Sequence, residues 1–522
     1  MINKITLILI LISLAFKSNA QTAGQLDATF NNNSGSFIID FANNDNLTNI
    51  SIQPDQKVLA TGVALSAGFM GQLKAIRLNA DGTPDLTFAT NSVFTYASSD
   101  ETYGYSILTT PDNKILIGGI VISISSGYAD ILLLQLDSSG NPDPSFGVNG
   151  VMVHELTPQD DLLQGMDIQP DGKIVISGTL STTVGFDIYN TPMLMRLNSN
   201  GSVDSTFGVN GIKEFTAVGI DNELTSCLVQ DDGKIVASGH YQKAFTGATD
   251  FDVYVVRTDS NGVADAGFGN NGEKVIEINL GIDDVFGMDV DSVGNIYVGG
   301  FTTAPISLGL DMLLMKLQSN GNVDSTFGVN GAVVYDSLDY DVADDLKIQN
   351  DGKILLCGSI GGAFLDPKDF AIWRYNSDGT PDLSFNNGVV TTNVNPASVH
   401  EYNSLAIQSN GKIVAGGKFL GTTNNDIAIH RYYASSVSQI TEAGISTDKL
   451  YPNPSSGKFN INSSKYTGTS LITIYNTSGE KVFESEVSFP GNEFELNQPS
   501  GVYFYQINNN AGITSGKLII VK

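Results

Sequence analysis

One segment recurs seven times along the chain, and this repetition constrains the fold more than any other feature. Its clearest copy is IQPDGKIVISG at residues 168–178. The turn position of the segment is occupied in order by Lys57, Lys114, Lys173, Lys234, Asn295, Lys353 and Lys412. Successive copies are therefore 57 to 61 residues apart, a period that is typical of propellers and solenoids.

A second segment alternates with the first and carries an aspartate three residues before a phenylalanine. The aspartates are Asp27, Asp85, Asp143, Asp204, Asp265, Asp324 and Asp382, and the phenylalanines are Phe30, Phe88, Phe146, Phe207, Phe268, Phe327 and Phe385. Six repeats also carry a basic residue near the end of the third predicted strand, namely Arg77, Arg196, Arg257, Lys316, Arg374 and Arg431. We expect one ion pair per repeat with a scaffold role, worth less than about 1 kcal/mol if exposed.

Each repeat is predicted to form four short strands, A to D, separated by turns rich in Gly, Pro, Asn and Asp. The fold class is therefore all-β: a seven-bladed β-propeller over residues 21–433, followed by a small C-terminal β-sandwich. The last repeat lacks its second segment, and a matching piece stands at residues 25–40. We expect the strand at residues 36–41 to pair with residues 426–432, because this pairing closes the ring and removes open sheet edges.

The two alternating segments, with their spacing, resemble the delta-60 repeat family of bacterial propeller-like proteins. The resemblance covers almost all of residues 25–433. It implies a propeller architecture. It carries no established activity that can be transferred to particular residues of this chain.

Both ends of the chain depart from the repeat. Residues 1–20 have the pattern of a signal peptide, with Lys4 before an apolar run and small residues Ser18 and Ala20 before the expected cleavage site. The run is shorter than the roughly 20 residues that span a bilayer, and no later stretch predicts a transmembrane segment. A linker over residues 434–447 leads to residues 448–522, whose alternating strands and tight turns predict the β-sandwich.

The C-terminal segment resembles the sorting domain of the type IX secretion system. The matching features are Tyr451-Pro452-Asn453-Pro454, Gly457, Phe459, the turn at residues 475–479, Gly501-Val502-Tyr503 and the basic-ended final strand. The resemblance implies the type IX machinery as a partner and passage from the periplasm across the outer membrane. The expected location is therefore extracellular or at the outer cell surface.

The charge balance excludes anionic partners. The chain has 55 acidic and 27 basic residues and a formal net charge of −28, so it repels nucleic acid and anionic membranes. The two cysteines, Cys227 and Cys357, lie in repeats that are not neighbours, so we expect two buried thiols and no disulfide framework.

An acidic residue recurs just before each predicted strand A. The set is Asp45, Glu101, Asp161, Asp221, Asp283, Asp341 and Glu401. One interpretation is a negatively charged mouth of the central channel that binds calcium or a cationic ligand through carboxylate oxygens. The other is that aspartate side chains cap nearby backbone N–H groups. The symmetry of the set favours capping.

No catalytic residue is assigned, because the four histidines lack metal-ligand spacing and the sequence has no nucleophile elbow or phosphate-binding loop. The most asymmetric polar cluster is His240, Tyr241 and Lys243, and Tyr189 is a further aromatic in a predicted B–C loop. We take these four as candidate ligand-binding residues, because aromatics beside polar groups suit recognition of a glycan or protein.

These observations predict an exported surface or secreted binding or scaffold protein that is not an enzyme. The alternative is a calcium-dependent propeller hydrolase or lyase that acts on an extracellular polymer. No cofactor is required by the first hypothesis, whereas the second requires calcium at the acidic ring.

Overall fold

The computed structural model describes residues 22–522 except 66–69, 186, 216–220, 243–249, 279–280, 304–308, 338–339, 363–365, 397, 422, 436–448, 452, 463–467, 477–480, 490–492 and 510–511. The chain divides into two compact units between Ser436 and Val437. The predicted signal peptide lies outside the described residues. In the described part of the chain no helix is long and apolar enough to cross a membrane.

The first unit contains seven four-stranded antiparallel sheets, which we number as blades 1 to 7. Blade 1 has β2 (Asp45–Ile52), β3 (Val58–Leu65), β4 (Gly71–Leu78) and β5 (Val93–Thr95). Blade 2 has β6 (Glu101–Thr109), β7 (Ile115–Ile122), β8 (Ala129–Leu136) and β9 (Val151–His154). Blade 3 has β10 (Asp161–Ile168), β11 (Ile174–Val184), β12 (Asp187–Leu197) and β13 (Ile212–Glu214). Blade 4 has β14 (Asn222–Val229), β15 (Ile235–Gln242), β16 (Phe251–Thr258) and β17 (Glu273–Ile276).

The remaining blades follow the same order of strands A to D. Blade 5 has β18 (Asp283–Val290), β19 (Ile296–Thr302), β20 (Asp311–Leu317) and β21 (Ala332–Tyr335). Blade 6 has β22 (Val342–Ile348), β23 (Ile354–Ile360), β24 (Asp369–Tyr375) and β25 (Val389–Thr392), with a short 3-10 turn at Asn386–Gly388. Blade 7 combines β26 (His400–Ile407), β27 (Ile413–Leu420) and β28 (Asn425–Tyr432) with the N-terminal β1 (Ser36–Ile39).

The two ends of the propeller share blade 7, as the incomplete last repeat predicted. Strand β1 pairs with β28 from Ser36 opposite His430 to Ile39 opposite Ile427. A further bridge joins Leu26 to Tyr432. The expected ring closure is therefore confirmed, and the edge of β28 is covered.

Strand A of every blade contacts strand A of the next, and β26 contacts β2. Side chains connect these inner strands. Asn49 accepts a hydrogen bond from the backbone N–H of Ile107 at 3.1 Å, and Ser404 accepts one from Ile50 at 3.1 Å. The inner strands thus form a closed circle around a central channel, with apolar side chains packed between successive sheets.

The recurring aspartate pairs with a lysine after the A–B turn and with an arginine on strand C. That arginine also contacts the next blade. In blade 1, Asp85 accepts a hydrogen bond from Arg77 at 2.8 Å and lies 3.2 Å from Lys57. The Arg77 guanidinium lies 4.6 Å from the centre of the fully buried Phe88 ring. It also donates to the backbone oxygen of Ser138 in blade 2 at 2.5 Å. One arginine therefore connects two blades.

The same arrangement occurs around the ring and confirms the predicted ion pairs. Pairs corresponding to Arg77–Asp85 are Arg196–Asp204, Arg257–Asp265, Lys316–Asp324, Arg374–Asp382 and Arg431–Asp27. In blade 2, Gln135 replaces the arginine and Lys114 alone pairs with Asp143, at 2.8 Å. The surface estimate of their strength does not apply, because the Arg77 and Asp85 side chains are only 5% and 4% exposed. Removing one partner of a buried pair typically costs about 3–5 kcal/mol.

The second unit has two sheets. One contains β29 (Lys449–Tyr451), β30 (Lys458–Asn462) and β33 (Glu493–Glu495), and the other contains β31 (Gly468–Tyr475), β32 (Lys481–Phe489), β34 (Gly501–Asn509) and β35 (Gly512–Ile520). Phe459 of the first sheet packs with Ile472, Tyr505 and Leu518 of the second in one core. The predicted small β-sandwich is confirmed.

Candidate functional site

Strand A begins at the end of the propeller that carries the D–A and B–C loops, which we call the loop face. A β-bulge follows the first residues of strand A in all seven blades and fixes their alignment. The equivalent first position holds Asp45, Thr102, Asp161, Asn222, Asp283, Asp341 and His400, all buried. Glu101, Asp221 and Glu401 of the sequence-predicted ring lie one residue away, so the seven acidic residues are not equivalent.

The buried first residues hold the preceding D–A loop. Asp161 accepts hydrogen bonds from the backbone N–H groups of Leu156 and Thr157 at 2.5 and 2.9 Å. Asp283, Asp341 and Asp45 accept equivalent bonds from Ile278, Ser337 and Phe41 at 2.9, 2.6 and 2.7 Å. His400 takes the same role in blade 7, where its Nε2 accepts from Val394 and Asn395 at 3.2 Å. These geometries are those of backbone capping.

Burial raises the pKa of several of these carboxyl groups. It is the main cause for Asp161 and Asp341. For Asp45, burial and the neighbouring Asp40 and Asp426 raise the pKa to about 6, against the hydrogen bond from Phe41. Calcium binding by the acidic ring stays a prediction.

The other three acidic residues have separate environments. Glu101 accepts a hydrogen bond from the Tyr103 hydroxyl at 2.8 Å. Glu401 forms an ion pair with Lys418 at 2.9 Å. Asp221 accepts from the side-chain amide of Asn190, which belongs to blade 3. Of the three, only Asp221 therefore contacts the neighbourhood of His240.

A cluster on blade 4, here named the His240 site, brings together Asp221, Glu223 and His240. One ring nitrogen of His240 and one carboxylate oxygen of each acid lie within 4.8 Å of one another. Glu223 and His240 are direct partners in the β14–β15 ladder. His240 Nδ1 lies 3.2 Å from an oxygen of Asp284 in blade 5, and Gln164 of blade 3 donates to Glu223 at 2.5 Å. Three blades therefore meet at this site.

The His240 site combines three acidic residues with one imidazole. Burial alone would lower the pKa of His240, but the hydrogen bond to Asp284 and the charges of Asp284, Glu223 and Asp221 raise it above its ordinary value. Burial raises the pKa of Glu223, while the His240 charge opposes that rise. The imidazole is 9% exposed, and its Nε2 has no hydrogen-bond partner among the described residues. An imidazole with a raised pKa thus faces three carboxyl groups.

The predicted aromatic residues fall on two sides of this site. Tyr189 is half-buried on the long β11–β12 hairpin, next to Asn190, whose side chain contacts Asp221. Tyr241 follows His240 on β15, so its side chain points to the opposite face of the sheet. There it packs against the core of blade 4, with its ring 5.6 Å from that of Tyr254. Lys243 lies outside the described residues.

Sequence reasoning missed Glu223, Asp284 and Gln164. Glu223 and Asp284 share the second position of strand A, which holds Asn46, Tyr103, Leu162, Glu223, Asp284, Val342 and Glu401 around the ring. The first position is polar in every blade, whereas the second changes from apolar to charged. The variation at this second position, inside an otherwise regular repeat, is the sequence feature that could have pointed to Glu223 and Asp284.

The other histidines and the cysteines are structural. His430 Nδ1 lies 2.7 Å from the Tyr402 hydroxyl, and burial with the nearby His400 lowers the pKa of His430 to about 3. Cys227 and Cys357 are buried free thiols, as expected. The neutral imidazole of His430 therefore belongs to the core.

The opposite face contains a cavity of about 800 Å³ between blades 4 and 5. Its lining includes Asp289 from the channel and the blade 4 ion-pair residues Lys234, Arg257 and Asp265. On β22, strand A of blade 6, Lys347 pairs with Asp345 at 3.2 Å. Burial raises the pKa of Asp289, and the Lys347 charge opposes the rise. Acidic residues outnumber basic ones in the lining of this cavity.

The seven blades and their closure define a β-propeller, and two family comparisons identify its type. Residues 53–88, 110–146, 169–207, 230–268, 349–385 and 408–434 match the family described as "Domain of unknown function (DUF5122) beta-propeller". Residues 449–521 match "Secretion system C-terminal sorting domain". The chain therefore carries a DUF5122 β-propeller repeat region followed by a type IX sorting domain, which directs export to the cell surface or the extracellular space.

The search of curated proteins found no match. Among solved structures, PorZ, described as an essential surface component of the type IX secretion system of Porphyromonas gingivalis, shares 12% identity with a TM-score of 0.40. That match covers 91% of this chain and 59% of PorZ. The β-propeller domain of the Trilobed protease from Pyrococcus furiosus shares 10% identity with a TM-score of 0.36, covering 77% of this chain and 99% of that domain.

Proposed function

We propose that this exported propeller acts as a binding protein outside the cell and recognises its ligand through the His240 site. The observation that carries the proposal is the convergence of Glu223, His240 and Asp284 from two blades at the loop face, with a buried ring nitrogen left unpartnered in the described structure. Polar groups that are buried and not used in capping are candidates for recognition.

The charge of the site favours a positively charged ligand group. Three carboxyl groups surround one imidazole, and a recessed acidic site attracts cations. The adjacent blade 3 hairpin adds an apolar contact surface, because Ile188 is 54% exposed and Tyr189 stands beside it. A basic segment of an extracellular protein, with a lysine or arginine side chain and apolar neighbours, fits both features.

The test is binding of a fluorescent lysine-rich peptide to the purified secreted protein at physiological salt. The double variant Glu223→Gln/Asp284→Asn should weaken binding at least about tenfold, because two charge-assisted hydrogen bonds are lost. Glu401→Gln is the matched control, since Glu401 occupies the same strand position as Glu223 in blade 7 and is paired with Lys418. It should bind like the wild type.

Two outcomes would overturn the proposal. One is that the wild type does not bind the peptide, or binds it no more tightly than the double variant does. The other is release of product from an extracellular polymer by the wild type but not by the double variant, which would support the hydrolase or lyase alternative.

A further inference from the structure

Three carboxylates meet where the two ends of the propeller join, away from the His240 site. Asp40 follows β1, Asp45 begins β2 of blade 1, and Asp426 belongs to β28. One oxygen of each lies within 4.8 Å of the others. They therefore come from the N-terminal strand segment, the first blade and the last C-terminal strand, which are the three parts that ring closure brings together.

No positive group among the described residues pairs with these carboxylates at 4.0 Å or less. The nearest lysine by electrostatic effect is Lys74, whose Nζ donates to Gln72 and Thr95 at 2.9 and 3.0 Å instead. Asp45 is only 1% exposed, and its Oδ1 has no hydrogen-bond partner in the described structure, while Oδ2 accepts from Phe41. A buried carboxylate oxygen thus remains available beside two further acids.

The same three strand positions hold carboxylates at other blade junctions, and this allows a comparison. They are Asp130, Glu155 and Asp161; Asp252, Glu277 and Asp283; and Asp311, Asp336 and Asp341. There the buried member is engaged at both oxygens: Asp161 and Asp341 each accept from a backbone N–H and a hydroxyl, and Thr302 donates to Asp283. Asp45 differs in keeping one oxygen without such a partner.

We propose that Asp40, Asp45 and Asp426 bind a calcium ion that fastens the N-terminal strand to the C-terminal blade. Calcium takes six to eight oxygen ligands at roughly 2.3–2.6 Å, so oxygens up to about 4.8 Å apart can share one ion. The donor set consists of carboxylates, which suit a hard cation. Their irregular placement favours calcium over magnesium, because magnesium requires a stricter octahedral geometry. The Asn43 carbonyl, which accepts from the Asn424 side chain, lies at the same junction.

The test uses the full secreted chain, treated with chelator and titrated with calcium chloride by calorimetry. We expect a dissociation constant of about 10⁻⁴–10⁻³ M, as in extracellular calcium modules. At 10 mM calcium the thermal unfolding midpoint should rise by about 2–4 °C, because the ion binds only the closed form. Asp426→Asn should weaken calcium binding at least about tenfold and abolish most of this rise.

The matched control is Asp311→Asn, since Asp311 begins strand C of blade 5 at the position that corresponds to Asp426. It should leave the calcium response at the closure intact. Hydrogen exchange gives the local readout: calcium should slow amide exchange at residues 36–41 in the wild type and in Asp311→Asn, but not in Asp426→Asn. Absence of calcium binding, or an equal loss in both variants, overturns the proposal.

Discussion

At the scale of single residues, the aspartate of the second repeated segment joins several parts of its blade. Asp85 accepts hydrogen bonds from Thr87 through one oxygen and meets Arg77 and Lys57 through the other. Burial alone would raise its pKa, but the hydrogen bonds from Thr87 and Lys57 and the Arg77 charge lower the pKa to about 2. All seven aspartates of this set have lowered pKa values.

This set predicts acid lability. A carboxyl group with a lowered folded-state pKa stabilises the fold above its unfolded pKa of 3.8, and this contribution is lost as the pH falls through the folded value. We therefore expect the free energy of unfolding to fall steeply between about pH 4 and pH 2, on the order of 1 kcal/mol per aspartate after solvent screening. Denaturant unfolding followed by circular dichroism across this range measures the slope.

The variant Asp85→Asn should reduce that slope, since one titrating group is removed, and should lower stability at pH 7. Asp55→Asn is the control: Asp55 also contacts Lys57, at 3.4 Å, but it is 58% exposed. A slope unchanged in Asp85→Asn would contradict the assignment.

The sequence allowed the repeated pairs to be predicted because each is a local feature that recurs seven times. It did not show their burial, which depends on the neighbouring blade: Arg77 reaches Ser138, and Arg431 reaches Ala80. The acids around His240 could not be found from the sequence for the same reason. Its acids Glu223 and Asp284 are 61 residues apart in the sequence, and no local pattern links them.

At the scale of elements, the N-terminal strand β1 completes the last sheet. Its residues alternate between the core and solvent: Phe37 is 7% exposed and packs with Ile427 and Ile429, whereas Ile38 is 46% exposed. The sequence predicted this strand and its partner correctly. It did not identify the buried first position of strand A, because that position is not acidic in every blade: Glu101 lies one residue before Thr102, and Glu401 lies one residue after His400.

The alternation in β1 predicts unequal effects of two neighbouring substitutions. Phe37→Ala should lower the free energy of unfolding by about 3–5 kcal/mol, because a buried ring is removed and a cavity is left. Ile38→Ala should change it by less than about 1 kcal/mol, since the side chain is already half in solvent. Urea unfolding of the two variants under the same conditions measures the difference. Similar losses for both would mean that β1 does not seal the core.

At the scale of the whole molecule, a propeller and a sorting domain occupy separate compact units. Within the second unit, residues 449–521 match the sorting family. The sequence identified both parts, since each has its own motif set. The ligand of the propeller could not be derived in the same way, because the repeated motifs encode the scaffold and specify no ligand.

The division predicts the effect of truncation. A chain that ends at residue 433 should fold its propeller but remain in the periplasm of a bacterium with the type IX system, because the sorting domain is missing. Fusion of residues 434–522 to a periplasmic reporter should export the reporter. Cell fractionation with immunoblotting measures both. Surface or medium localisation of the truncated chain would contradict this assignment.

The shared blade has a consequence for the order of events during synthesis. Residues 36–39 leave the ribosome among the first of the propeller, yet their partners at residues 427–430 emerge almost four hundred residues later. Until then β1 has no partner strand. Pairing between strands so far apart in sequence is slow. Translation that stops early produces neither the sealed circle nor the export domain that follows it, so one interruption leaves a defective product that also lacks its means of leaving the cell.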